Sequence, residues 1–183
     1  MTLYRARPAD GAAWITGASE GLGRALALRM ASQGWTVYAS ARSADKLDAL
    51  SAYFSGPGKI ISLPLDVTDR EANANAVETI TRDGGKLALA VFNAGNFFPV
   101  RAFKLDHDAF DKSLAINLTG VINGLVPAIE AMKLQGFGQL ALVASSAGYG
   151  GLPKSAAYGA SKAGLINLAA SLKFDLDTMN IRI

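Results

Sequence analysis

Five short apolar runs, at residues 12–16, 36–40, 60–65, 87–92 and 140–144, alternate with segments of helix length, and this alternation limits the fold more than any other feature. Four of the five are apolar at odd and even positions alike. A strand covered on one face alternates apolar and polar side chains; a near-continuous apolar strand needs cover on both faces, as in a parallel sheet flanked by helices. The intervening segments, 21–33, 44–53, 69–82, 108–134 and 155–179, are helical in period and carry their own punctuation. Gly34 stands where a helix C-terminus favours glycine, Asp69 can cap a helix N-terminus, and Gly84-Gly85 and Gly136-Phe137-Gly138 end later helices. The expectation is an α/β chain built on a doubly wound parallel sheet. With 183 residues, half of them apolar, the chain can bury one sizeable core and is short for two, so residues 1–183 are read as a single domain. Asn180-Ile181-Arg182-Ile183 begins another alternating segment just as the sequence stops, so the expected sheet lacks its C-terminal strands.

Composition removes several classes of function. The chain has no cysteine, which excludes disulfides and thiolate metal sites, and its single histidine, His107, leaves no imidazole pair for a metal or a serine-type triad. No stretch offers the eighteen or so uninterrupted apolar residues of a membrane span, and the start Met1-Thr2-Leu3-Tyr4-Arg5 lacks a secretory apolar stretch. A reducing, cytoplasmic setting is expected. The net charge of +3 is scattered, with no basic run or interleaved aromatics, so nucleic acid is not an expected partner.

Between the first apolar run and the first helical segment lies Thr16-Gly17-Ala18-Ser19-Glu20-Gly21-Leu22-Gly23. Glycine permits positive φ and close approach of backbone to a ligand, so Gly17, Gly21 and Gly23 can turn amide groups and a helix N-terminus toward a diphosphate, with Ser19 adding a hydroxyl. A tight turn with close packing would use the same glycines; its place after the first strand favours the phosphate reading. The end of the second strand then bears on the nucleotide, because an acidic side chain there suits a ribose 2′-hydroxyl and a basic one a 2′-phosphate. The residues are Ser40-Ala41-Arg42, with no carboxylate, so NADP(H) is favoured over NAD(H). Glu20 argues mildly the other way, and Arg42 also suits a solvated helix start.

Tyr158 and Lys162 are four residues apart, and Ser145 precedes the tyrosine by thirteen. Positions i and i+4 share a helix face, so an ammonium can sit below a phenol, while one strand-to-helix connection brings a hydroxyl to both. A phenol titrates near pH 10, and acid/base work at neutral pH requires a nearby cation to stabilise its phenolate. Such a trio can move a proton onto a carbonyl oxygen. Taken singly, each residue has a packing explanation, and Ser146 is the neighbouring rival of Ser145.

In this order the motifs resemble the short-chain dehydrogenase/reductase family, in the branch with the compact glycine motif. The likeness is carried by the glycine turn, Asp66-Val67 after the third strand, Asn93-Ala94-Gly95 after the fourth, Asn117 in Asn117-Leu118-Thr119-Gly120, Ser145, Tyr158 and Lys162. One common family pattern has two asparagines before Ala94-Gly95; here Phe92 replaces the first. The resemblance implies a Rossmann-type sheet with the cofactor across its strand ends, and contacts from Gly17, Ser19, Gly21, Leu22, Gly23 and Arg42. It implies Asp66 and Val67 at the adenine and Asn93, Ala94 and Gly95 beside the cofactor. Asn117, Ser145, Tyr158 and Lys162 become the catalytic tetrad, with Asn117 holding a water that links Lys162 to solvent and with Tyr158 and Lys162 also reaching the cofactor. The implied reaction is NADPH-linked reduction of a ketone to a secondary alcohol, or its reverse, on a small-molecule carbonyl or alcohol, in a homodimer or homotetramer. The alternative is a non-catalytic or truncated nucleotide-binding protein, motivated by the stop at Ile183. The Asn96-Phe97-Phe98 segment, Tyr149, Leu152 and Pro153 suggest a partly apolar substrate wall, and the substrate itself is not legible.

Overall fold

The computed structural model describes residues 4–183; Met1 to Leu3, part of the start read for secretory character, lie outside the described residues. Six strands form one parallel sheet: β1 (Ala12–Thr16), β2 (Thr36–Ser40), β3 (Lys59–Ser62), β4 (Leu87–Phe92), β5 (Gly138–Leu142) and β6 (Ile181–Arg182). Their order is β3-β2-β1-β4-β5-β6, the doubly wound arrangement, with the connection switching direction between β1 and β4. The double apolarity of the strands has the expected cause. All five residues of β1 are buried, and they alternate between two cores, Ala12 and Trp14 facing one and Ala13 and Ile15 the other.

Helices α1 (Gly21–Ser32) and α2 (Ala44–Tyr53) cover one face through Ala27, Met30, Leu47 and Leu50. On the other face lie α3 (Arg70–Gly84), α5 (Gly120–Gln135) and α6 (Ala156–Thr178), with Ile80, Leu125, Met132 and Leu165 in the core. Local chemistry agrees with the punctuation read from sequence. Asp69 caps α3 by accepting from the Ala72 N–H at 3.0 Å, and Gly34 follows α1 at φ 90° with its N–H on Ala31 O.

Three boundaries differ from expectation. β3 is regular only to Ser62, although the N–H groups of Leu63 and Leu65 continue to bond to Ala39 and Ala41. β5 runs two residues earlier than 140–144, because Gly138 pairs with Ile181 of β6. The segment 108–134 is α4 (His107–Leu114) joined to α5 through a π turn, Ala115–Thr119, in which the Gly120 N–H reaches back to Ala115 O. The 29-residue helical stretch His107–Gln135 has the length and mean hydropathy, 1.4, of a membrane span. Here Val121, Leu125, Ala128 and Met132 along it pack into the core against the sheet.

Candidate active site

The groove lies across the C-terminal ends of β1 to β4 and measures about 430 Å³. Gly17, at φ 68°, approaches β4 so closely that a Cβ there would lie 2.8 Å from Ala94 Cα. Gly23 is buried in the first turn of α1, where a Cβ would come within 2.6 Å of Asn93 Nδ2. Side chains pin this turn. Asn93 Nδ2 donates to Thr16 O and Gly17 O at 3.1 and 3.2 Å, and Thr16 Oγ1 accepts from the N–H groups of Asn93 and Ala94, both at 3.1 Å. Asn93 thus braces the glycine turn, and Thr16 was missed as a site residue because a threonine ending a strand is common. Gly21, at φ 55°, has only open space where a Cβ would point. Glu20 precedes α1 without capping it, which leaves the first N–H groups of the helix free for an anion. A diphosphate therefore fits between the turn and α1. Ser19, Leu22, Arg42, Asp66, Val67, Ala94 and Gly95 line the same groove, together with Lys46 and Ile116, which sequence reading did not single out.

At the far end, Asp66 Oδ1 accepts from both the N–H and the hydroxyl of Thr68, at 2.9 and 2.8 Å, an arrangement that leaves Oδ2 for a ligand. Two helix asparagines hold this loop from behind. Asn73 Nδ2 donates to Val67 O at 3.0 Å, and Asn123 Nδ2 donates to Val67 O and Thr68 O at 3.1 and 3.2 Å. Both asparagines are buried and neither was anticipated; an asparagine on an apolar helix face is the signal that could have found them, since it needs a backbone partner.

At the inner end, Lys162 is 3% exposed and its Nζ donates to Val143 O at 2.6 Å. Burial pushes its ammonium below the ordinary lysine value. The ammonium lies 5.6 Å from the centre of the Tyr158 ring, one helical turn back on α6. Gly95 ties this cluster to the groove, because a Cβ there would stand 3.1 Å from Asn117 Oδ1 and 3.6 Å from Lys162 Nζ. Asn117 sits in the π turn, fully buried, and clamps Asn96 by accepting from its N–H at 2.7 Å and donating to its carbonyl at 2.8 Å. The side-chain amide is thereby committed to backbone on both sides.

Ser145 follows β5 and caps a 3₁₀ turn, Ser146–Gly148, by accepting from the Ala147 N–H at 3.2 Å. That turn rests on α6 between Tyr158 and Lys162: a Cβ on Gly159 would lie 2.9 Å from Ala147 O, and one on Gly148 2.8 Å from the carbonyl carbon of Lys162. Only small residues let the two backbones approach this closely. The four residues read as a tetrad are thus gathered where β4, β5, the π turn and α6 meet. Phe97 stacks edge-on against Tyr158 with ring centres 5.5 Å apart, adding an apolar wall. His107 opens α4 on the exposed surface, and no metal-holding cluster occurs among the described residues.

The family model for short chain dehydrogenase matches residues 11–183. The chain belongs to the short-chain dehydrogenase family. It is an oxidoreductase of that family, whose reaction interconverts an alcohol and a carbonyl. It is 34% identical over 170 residues to the 3-oxoacyl-(acyl-carrier-protein) reductase of Thermotoga maritima, covering 92% of this chain and 69% of that protein. The corresponding reductase of Haemophilus influenzae is 30% identical, over 93% of this chain and 70% of its own. Among solved structures, NAD⁺-bound xylitol dehydrogenase superposes with a TM-score of 0.88 at 31% identity, over 94% of this chain and 67% of that one. The chain thus spans about two thirds of the length of these relatives.

Proposed function

We propose that this chain carries the nucleotide site and the proton-transfer residues of an NADPH-linked ketone reductase, working equally as a secondary-alcohol dehydrogenase. The observation that carries the reading is the desolvated Lys162 ammonium below Tyr158 and beside Gly95, at the inner end of a groove whose outer parts suit a dinucleotide. A nicotinamide dinucleotide, when bound, supplies or accepts the hydride. The rest of the chemistry belongs to side chains. Gly17, Ser19, Gly21, Leu22 and Gly23 receive the diphosphate, Asp66 and Val67 the adenine, and Asn93, Ala94 and Gly95 the inner half. Tyr158 gives its proton to the carbonyl oxygen, or takes one from the alcohol, and the Lys162 ammonium stabilises the phenolate that results. Ser145 keeps its hydroxyl proton free while accepting from Ala147, so it can donate to the substrate oxygen as charge develops. Asn117 orders Asn96 and the π turn beside Lys162, the neighbourhood where a water relay to solvent would run.

Arg42 at the exit of β2 supports NADP(H) over NAD(H). The substrate is a small carbonyl compound or alcohol with an apolar side facing Phe97. Residues 1–183 act as one nucleotide-binding domain, in the cytoplasm, within a homodimer or homotetramer formed through exposed apolar residues of α5 and α6, such as Val126 and Phe174. The test is a panel of ketones and secondary alcohols followed by NADPH absorbance. Turnover of one class supports the reading; nucleotide binding without turnover across the panel, in the longest natural form of the protein, contradicts it.

A further inference from the structure

One charged pair stands on the rim of the groove beside Arg42. Glu20 ends the glycine turn, and its side chain crosses to α2, where Oε2 accepts from Lys46 Nζ at 2.8 Å. Both side chains are more than half exposed, at 76% and 57%, and both line the groove with Ala41, Arg42 and Ser43. Lys46 sits in the first turn of α2, where the helix dipole does not favour a cation, so the pairing is not explained by its own helix. Contact with Lys46 holds the Glu20 carboxyl below its usual range. It is therefore an anion whenever a nucleotide arrives at neutral pH.

We propose that Lys46 is a second cationic ligand for the cofactor's 2′-phosphate beside Arg42, and that Glu20 is the acceptor it leaves, so this exposed pair sets discrimination between NADP(H) and NAD(H). The inference rests on the dinucleotide reading above and adds residues that reading does not use. An exposed ion pair contributes little and is easily exchanged. A phosphate monoester carries roughly 1.5 to 2 negative charges and three strong acceptor oxygens, so it outcompetes a single carboxylate for Lys46. Once Lys46 has moved, Glu20 is left uncompensated near the phosphate and opposes it. With a free ribose the balance reverses, since Glu20 can accept from the 2′-hydroxyl while Lys46 stays in place. Glu20 thus holds the preference for NADP(H) below what Arg42 and Lys46 alone would give.

The experiment is calorimetric titration of NADP⁺ and, separately, NAD⁺ into the wild type, Lys46→Gln and Glu20→Gln, each at low and high salt, with thermal unfolding without nucleotide as the folding control. Lys46→Gln should weaken NADP⁺ about tenfold and leave NAD⁺ within about twofold. Glu20→Gln should tighten NADP⁺ by about three- to tenfold without tightening NAD⁺, and high salt should erode NADP⁺ binding more than NAD⁺ binding. Equal effects of Lys46→Gln on both nucleotides, no effect on either, or weaker NADP⁺ binding by Glu20→Gln overturns the proposal. A wild type that binds neither nucleotide overturns the dinucleotide reading and this proposal with it. A wild type that binds both, with a ratio unchanged in Lys46→Gln, overturns this proposal alone.

Discussion

Lys162 is buried at the expense of stability. Its ammonium is desolvated, so its folded-state value lies below the ordinary 10.5. Below the folded value the lysine is charged in both states and the full penalty of burying it applies. Between the folded value and 10.5 the unfolded chain binds more protons, so stability rises with pH there, and above 10.5 the penalty is gone. Lys162→Met should therefore unfold at a temperature no lower than wild type at neutral pH, with any advantage shrinking as the pH rises through the window that ends at 10.5, while turnover falls about a hundredfold or more. Thermal unfolding against pH checks the first part and initial rates the second; a large loss of stability at neutral pH would contradict it. At Gly17 the requirement is steric. Positive φ and the approach to Ala94 make Gly17→Ala strained in backbone and crowded in space, and a loss of roughly 1–3 kcal/mol in denaturant unfolding is expected, together with weaker nucleotide binding. Residues of this kind stand out in a sequence because the proposed chemistry asks for a particular atom type at a particular spacing. Thr16 and Lys46 do not, because a threonine or lysine in such a place also has many ordinary uses, and only the fold sets Thr16 against Asn93 and Lys46 on the groove.

Among the elements, the strands were readable because burial on both faces leaves a continuous apolar signature, and β1, β2 and β4 fall on the expected residues. The interruption of the long helix was not. The stretch from His107 to Gln135 is helical in period throughout, and the π turn at its centre coincides with the clamp of Asn117 on Asn96, a contact between segments far apart in sequence. Asn117→Leu keeps the volume and removes the clamp, leaving the Asn96 N–H without its partner. It should lower turnover by at least tenfold and raise hydrogen exchange at residues 95–98, with α5 retained. The clamp on the Val67-Thr68 loop makes a second test at this scale. Asn123 supplies two bonds to the carbonyls of Val67 and Thr68, and Asn123→Ala should weaken nucleotide binding several-fold with turnover at saturating nucleotide little changed, a split that a general loss of folding would not give.

In the whole molecule, two cores on one sheet fix a rigid platform, and the groove opens where the chain switches direction between β1 and β4. The outer faces of α5 and α6 keep large apolar side chains in water, with Val126 57% and Phe174 81% exposed. A second copy would cover them. Light scattering at micromolar concentration should give a dimer or tetramer, and Phe174→Asp should shift it toward monomer; a monomeric wild type would remove that part of the account. The doubly wound sheet was legible in the linear sequence, because parallel strands bring every strand-end motif to one edge of the sheet even though their spatial order, β3-β2-β1-β4-β5-β6, is not the chain order. The Asn96-Phe97-Phe98 segment was read as apolar wall, but the edge-on contact of Phe97 with Tyr158 was not legible, since it depends on the path of the loop after β4. In the proposed reaction Tyr158 moves the proton, while most of the contacts that would hold the nucleotide come from other residues of the groove. Rapid-mixing measurement of NADPH oxidation with a reactive ketone, in wild type and Tyr158→Phe, tests it most directly. The expected result is NADPH affinity within several-fold of wild type and hydride transfer slowed by about a hundredfold or more in the variant; transfer within about threefold of wild type would contradict it.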